Sequence, residues 1–209
     1  MPRSEPFERH AERYERWFEE HDPAYRSELD ALERLVPDPG YGLEIGVGSA
    51  RFAAPLGIRV GVDPAVAMLR RARERGVDAV RGVAEALPFA ADAFDTVLSV
   101  TTVCFVDSIE RMMREARRVL RDDGTLVLGY IDKHSPVGQR YLETKARNPF
   151  YREATFVSTE RLRDALDAAG FSEFEFVQTV FRWPGDLDDP DPVRRGYGDG
   201  SFVGLSARA

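Results

Sequence analysis

Gly42-Leu43-Glu44-Ile45-Gly46-Val47-Gly48-Ser49-Ala50 is the stretch on which the reading of this chain turns. Glycines alternate with apolar residues directly after a carboxylate, Glu44, as a strand requires if it ends in a turn whose backbone closely approaches a ligand. About twenty residues further on, Arg59-Val60-Gly61-Val62-Asp63 is a second short apolar strand ending in an acid. A glycine turn followed by an acid at a strand end is the arrangement by which an open α/β sheet holds an adenosine group.

Outward from this pair the chain alternates. The first strand covers roughly residues 41 to 46, and the glycine turn leads into a helix of about two turns ending near Leu56-Gly57. Asp63-Pro64 supplies an N-cap and a first-turn proline, Met68, Leu69 and Ala72 face inward, and Gly76 terminates that helix. Val77 to Val83 is a third strand, and Thr96 to Val100, a β-branched and nearly continuous apolar run, suits the centre of a sheet. Asp107-Ser108 caps a helix whose Ile109, Met112, Met113, Ala116, Val119 and Leu120 keep a helical period, and Asp122-Asp123-Gly124 turns it into a fifth strand, Thr125 to Ile131. Strands alternating with helices at this spacing predict right-handed crossovers and a parallel sheet.

Both ends depart from this rhythm. Phe7, Ala11, Tyr14 and Phe18, with His10 and Trp17 beside them, make residues 5 to 20 an amphipathic helix with a strongly aromatic face. Asp22-Pro23 opens a second helix carrying Tyr25, Leu29, Leu32 and Val36, which stops before Pro37 and Pro39. At the other end, a helix from about Thr159 to Ala169 is closed by Gly170, and two extended runs follow, Phe174 to Trp183 and Phe202 to Ala207. The connector PGDLDDPDPVRRGYGDG reads as a long surface loop, so the two runs pair antiparallel.

Composition excludes several classes. At 209 residues the chain fits one domain with a full core, and 43% apolar with 31% charged residues is ordinary globular composition. A formal net charge of −7 argues against broad phosphate-driven nucleic-acid binding. The single cysteine, Cys104, excludes an intrachain disulfide and a Cys-based zinc site, and reads as a small buried apolar group or a residue facing substrate. The three histidines have no ligand spacing, and prolines interrupt Asp186 to Asp191 as a calcium loop, so no metal is expected. The start, MPRSEPFERHAERYERWF, has no signal-like apolar run, and no apolar stretch is long enough to span a membrane, which makes a cytoplasmic location the expectation. Arg51 stands where a dinucleotide fingerprint needs a small residue, and no Gly-Lys-Ser/Thr is present for a triphosphate loop.

In order and spacing, these motifs resemble those of the seven-stranded class I S-adenosylmethionine-dependent methyltransferases, in particular the type 11 branch of small-molecule enzymes. Glu44 to Ala50 is similar to that family's acid and glycine turn, Val62-Asp63 to its ribose acid, and Gly82-Val83-Ala84-Glu85-Ala86-Leu87-Pro88-Phe89 to its adenine loop. Phe94-Asp95 and Val119 to Gly124 match the approaches to its fourth and fifth strands, so the likeness spans roughly residues 12 to 132. Two residues depart from the pattern. Ala50 replaces a third glycine, which suits a helix start rather than a positive φ, and Val83 replaces an acid, leaving Glu85 or backbone near Ala84 for the adenine amino group.

The resemblance implies a three-layer α-β-α sandwich around a seven-stranded, mostly parallel sheet of order 3-2-1-4-5-7-6 with the last strand antiparallel, under an N-terminal helical lid. One domain, 1–209, then divides into lid helices (1–39), cofactor-binding core (40–132), substrate-side insertion (133–157) and C-terminal helix with antiparallel strands (158–209). It implies S-adenosyl-L-methionine as cofactor, S-adenosyl-L-homocysteine as product, and Glu44, Gly46, Gly48, Asp63, Pro64, Met68, Ala84, Glu85, Val100 and Thr101 around it. Tyr14, Trp17, Phe18 and Tyr151 are the expected substrate and lid residues, although each aromatic also fits a plain core position. A sulfonium methyl is already activated, so proximity and orientation can suffice and no catalytic side chain is assigned; His134, Tyr130 and Tyr14, with His10, His21 and Asp132, are weak candidates for a base. The expected acceptor is a small molecule, with no nucleic acid or membrane partner, and the protein is a monomer or homodimer. The alternatives are a protein or nucleic-acid methyltransferase, or a non-catalytic protein that binds S-adenosylmethionine for regulation.

Overall fold

The computed structural model describes residues 4–36 and 38–209. Along the chain come helices α1 (Glu5–Arg9), α2 (Ala11–Glu20) and α3 (Asp22–Glu33), then strands β1 (Gly42–Ile45) and β2 (Val60–Asp63). Helix α4 (Val66–Glu74), strands β3 (Asp78–Arg81) and β4 (Phe94–Val100), helix α5 (Ile109–Val119) and strand β5 (Leu120–Ile131) follow. Helices α6 (Pro136–Thr144) and α7 (Thr159–Ala168) precede strands β6 (Ser172–Thr179), β7 (Arg194–Arg195) and β8 (Phe202–Arg208).

The strands form one sheet of order β3-β2-β1-β4-β5-β8-β6-β7. Strands β1 to β5 pair in parallel, and β8 runs antiparallel between β5 and β6. The expected order is therefore present, with one addition. Two residues of the connector, Arg194 and Arg195, pair with Gln178 and Val177 and make β7 an eighth, edge strand.

Alternation along β5 assigns the two faces. Leu126 and Leu128 turn to the side of α5 and α7, against Met112, Met113, Ala116, Leu162 and Leu166, whereas Val127 joins Leu98, Val100 and Phe202 on the side of α3 and α4. Helices thus cover both faces of a sheet whose central strands are apolar throughout.

Several local expectations are corrected. The N-terminal amphipathic stretch is two helices, broken at His10 (φ −124°, ψ 33°). The second helix stops ahead of Pro37 as expected, but at Glu33, short of Val36; Pro37 itself lies outside the described residues. No helix follows the glycine turn: residues 49–57 are successive turns, because Ala50 adopts φ +63° and Pro55 has no N–H to continue a ladder. Helix α4 begins at Val66, two residues past Pro64, with Ala65 as its N-cap, and Asp63 Oδ1 accepts from the Ala65 N–H at 2.8 Å. Nor is the 184–200 connector simply solvated. Pro184, Leu187 and Asp191 are buried, and Asp191 N–H donates to Ser27 Oγ at 2.8 Å, fastening the connector to α3.

Helix α2 is tied to the sheet by a buried acid. Glu15 Oε2 on α2 accepts from Arg51 Nη2 (2.6 Å) and Nε (3.0 Å) and from Arg75 Nη2 (2.5 Å). Burial opposes ionisation of Glu15, yet the Ser49 hydroxyl and then the two guanidiniums outweigh it and hold the carboxyl below its usual range. Arg51 also lies over the Phe18 ring at 5.2 Å, and its carbonyl accepts from Tyr25 O–H at 2.6 Å. The residue that rules out a dinucleotide turn is therefore the strut between the turn and α2 and α3. Glu15→Ala is expected to lower unfolding free energy by about 2 kcal/mol in urea titration, below the full value of a buried pair because both arginines keep some solvent contact. An unchanged transition would mean that the ion pairs do not hold α2.

Candidate active site

The carboxyl ends of β1, β2 and β4 open into a cavity of ≈ 310 Å³ roofed by α1, α2 and the segment after α6. This is where the fold places a ligand, at the point where the sheet order reverses between β1 and β4.

The glycine turn is shaped by its neighbours. Gly46 has φ +73°, and a Cβ there would stand 2.1 Å from Thr102 Oγ1, while Gly48 has φ +50° beneath the Tyr14 hydroxyl, 3.4 Å from where its own Cβ would be. Backbone therefore faces the cavity where side chains would fill it. Asp63 ties the turn to the next strand: Oδ2 accepts from Gly48 N–H at 3.0 Å, and Oδ1 from Ala65. Burial raises the Asp63 carboxyl to about 6 against those two hydrogen bonds. Each of its oxygens keeps a second lone pair for a ligand hydroxyl.

Glu44 is buried at the end of β1, and burial lifts its carboxyl well above the ordinary range. The Ala53 N–H bonds to it, but Oε2 has no hydrogen-bond partner among the described residues. A buried carboxylate oxygen left open beside a glycine cradle fits a ligand carrying both an ammonium group and an adenosyl group. Thr101, directly after β4, holds φ +50°, unusual for a β-branched residue, and its N–H donates to Gly129 O at 2.7 Å.

Of the residues singled out from sequence, Gly46, Gly48, Asp63, Pro64, Ala84, Glu85, Val100 and Thr101 line this cavity with Tyr14, Trp17, Phe18 and Tyr151. Glu85 Oε1 is already engaged, accepting from Asp107 N–H at 2.6 Å at the start of α5. Met68 is fully buried within α4 and Glu44 lies behind the turn, so neither is on the cavity wall.

The weak base candidates separate. Tyr130 O–H is buried against Thr159 Oγ1 at 2.8 Å, outside the large cavity. Asp132 accepts from Thr159 Oγ1 (2.5 Å) and His134 N–H (2.7 Å), a structural clamp between the end of β5 and α7. His134 itself is exposed, 3.8 Å from Glu160, and His10 packs its edge on Phe150 away from the cavity wall. His21 reaches the wall stacked on Trp17. Cys104 is buried beside a side cavity of ≈ 10 Å³. Tyr14 and Tyr151 are pushed upward, by burial first and then by neighbouring groups, so their hydroxyls stay protonated and donate.

Two features escaped the sequence reading. Ser135-Pro136 opens α6, with Ser135 Oγ accepting from Gly138 N–H at 3.0 Å, a capping signal present in the sequence. Glu28 on α3 is 7% exposed and lines the cavity. Its only sequence signal is that it shares a helix face with Ala24, Ala31 and Leu32.

A parallel sheet with a glycine turn, an acid at the end of β2 and a carboxylate behind the turn defines an adenosyl-binding α/β protein. Residues 43–128 match the methyltransferase-domain family model. An uncharacterised protein of Methanocaldococcus jannaschii is 39% identical over 203 residues, covering 96% of this chain and 97% of that one. The structure of an S-adenosylmethionine-dependent methyltransferase from Thermotoga maritima, described as a possible histamine N-methyltransferase, is 47% identical with a TM-score of 0.95, over 98% of this chain and 99% of that one. A malonyl-[acyl-carrier protein] O-methyltransferase of Geobacter sulfurreducens is 30% identical over 154 residues, 66% of this chain and 58% of the enzyme. The chain belongs to the methyltransferase-domain family and is an S-adenosylmethionine-dependent methyltransferase of Rossmann-like fold.

Gly46 gives the sharpest test of the cradle. Gly46→Ala is expected to cost about 2–4 kcal/mol in thermal or urea unfolding, from the positive φ and the overlap with Thr102 together. A loss below about 0.5 kcal/mol would show that the turn tolerates a side chain there.

Proposed function

We propose that this enzyme transfers a methyl group to a small-molecule nucleophile bound in the aromatic part of the cavity. The observation that carries the reading is the enclosure of the space beside the glycine turn by Tyr14, Trp17, Phe105, Phe150 and Tyr151, which leaves a chamber of small-molecule size. The Geobacter relative is named an O-methyltransferase and the Thermotoga structure a possible N-methyltransferase, so both acceptor atoms occur among proteins similar to this one.

In this reading Gly46 and Gly48 offer backbone to the methionine part of the cofactor, and Glu44 answers its ammonium group directly or through water. Asp63 accepts from both ribose hydroxyls, and Pro64, Ala84 and Glu85 flank the adenine, with Met68 packed inside α4. Val100 and Thr101 form the floor. When bound, the cofactor supplies an activated sulfonium methyl. The protein contributes orientation and exclusion of water: α1 to α3 act as a lid, Tyr14, Trp17, Phe18 and Tyr151 shape the acceptor chamber, and no strong base is required at the methyl. A cytoplasmic location and a monomeric or homodimeric state belong to the same proposal.

Asp63 makes the cofactor assignment testable by pH. Its folded value near 6 exceeds that of an unfolded aspartate, so the free protein loses stability from this group as pH rises from about 4 through 6. Two donated hydroxyls require the ionised form. Affinity for S-adenosylhomocysteine is therefore expected to fall roughly tenfold between pH 7 and 5 in calorimetric titration, and Asp63→Asn to bind weakly with that dependence removed. A flat profile in the parent, or full affinity in Asp63→Asn, would contradict the assignment. Labelled methyl transfer separates acceptor classes: incorporation into small nucleophiles supports the proposal, whereas incorporation only into protein or RNA, or none, would overturn it.

A further inference from the structure

Glu28 has no structural reason to be where it is. It is 7% exposed in the middle of α3, between turns that bury Ala24, Ala31 and Leu32, and it lines the large cavity. No hydrogen bond or ion pair reaches its carboxyl among the described residues, and burial alone raises it to about 8. An apolar side chain of similar length would pack there without the penalty of a desolvated acid. The backbone under it is fixed, because the adjacent Ser27 Oγ donates to Pro23 O at 2.7 Å and accepts from Asp191 N–H at 2.8 Å.

Its surroundings are aromatic and electronegative. Tyr14 from α2, Tyr141 from α6 and Tyr151 stand near enough to Glu28 for an ionised carboxyl there to raise their hydroxyls, after burial, and Tyr141 and Tyr151 meet edge to face at 5.4 Å. Ring faces and a carboxylate are the two groups that hold an organic cation. Acids outnumber bases on the cavity wall, with Glu20, Glu28, Asp63 and Glu85 against Arg13. The nearby guanidinium of Arg140 is engaged elsewhere, 4.2 Å over the Trp183 ring and 3.9 Å from Asp186.

We infer that Glu28 is the acceptor-anchoring carboxylate of this methyltransferase, and that the acceptor is a small amine on an apolar or aromatic body, drawn in as its cation. The inference rests on the functional reading above and narrows it to nitrogen. Glu28 serves two ends. As carboxylate it pairs with the ammonium group and orients it among the rings. As a proton acceptor it takes one N–H proton: the N–H bond breaks, a carboxyl O–H forms, and the freed electron pair stays on nitrogen as the nucleophile. The buried site suits that exchange, since a desolvated acid holds a proton more firmly than an exposed one. Tyr14 and Tyr151 cannot do this, because both keep their own protons.

The test is calorimetric, on protein saturated with S-adenosylhomocysteine, using 2-phenylethylamine, tryptamine and histamine against neutral 2-phenylethanol. The amines are expected to bind about tenfold more tightly than the alcohol, and Glu28→Gln to remove that preference while S-adenosylhomocysteine affinity stays within about twofold. Glu28→Met, apolar and of similar length, is expected to do the same, and neither variant should unfold earlier than the parent, which distinguishes lost recognition from lost structure. Equal amine affinity in parent and Glu28→Gln would overturn the proposal, as would an alcohol that binds as well as the amines. Failure of the parent protein to bind S-adenosylhomocysteine would instead overturn the cofactor reading on which the proposal stands.

Discussion

The carboxylate of Asp63 is the contact on which the site depends. One oxygen holds the Gly48 N–H and the other the Ala65 N–H, so a single side chain joins the glycine turn after β1 to the start of α4 after β2. Three constraints meet there. The turn is pinned in a left-handed course that only glycine takes without strain, α4 is set at a fixed angle to the sheet, and a partly desolvated acid is left facing a cavity. The N-terminal helices close over this point through Glu15, whose two arginines come from just after the turn and just after α4. The glycine turn and the N-terminal helices are thus braced by residues from the same two connections.

The parallel core was legible because its signals are local. Apolar β-branched runs, a capping Ser108 and glycines at the ends of α4 and α7 each act within a few residues, and they place β1 to β5, α5 and α7. Where tertiary contacts decide, sequence reasoning fails. Ala50 suited a helix start on propensity, but the turn drives it to φ +63° and Pro55 prevents recovery of a ladder. The 184–200 connector has loop composition, yet Asp191 is buried on α3 and Arg194-Arg195 extend the sheet.

The candidate site divides the same way. The glycines, Asp63 and the floor residues were readable because nucleotide-binding turns combine residue type with spacing. Arg51 was recognised only for what it excludes, and its role as a strut depends on Glu15, 36 positions away. Glu28 was invisible because a glutamate in a helix is ordinary, and only the packing of α3, α6 and the 148–151 segment places this one on the wall of an aromatic cavity with no partner among the described residues. Tyr130, His134 and Asp132 were only weak candidates for a base, from their position at the end of β5. Short bonds to α7 explain Tyr130 and Asp132, and His134 is turned to solvent.

On the proposed reading the chamber has two unlike ends: a backbone-lined, acid-tipped end for the cofactor, and a ring-lined end with one buried carboxyl for the acceptor. A crystal structure of the protein with S-adenosylhomocysteine bound tests that description most directly. The account predicts both ribose hydroxyls on Asp63, the amino group on the Glu44 side of the glycine turn, and the sulfur turned toward the space bounded by Tyr14, Thr101 and Glu28. A ribose held away from Asp63, or a sulfur facing bulk solvent rather than that space, would contradict it.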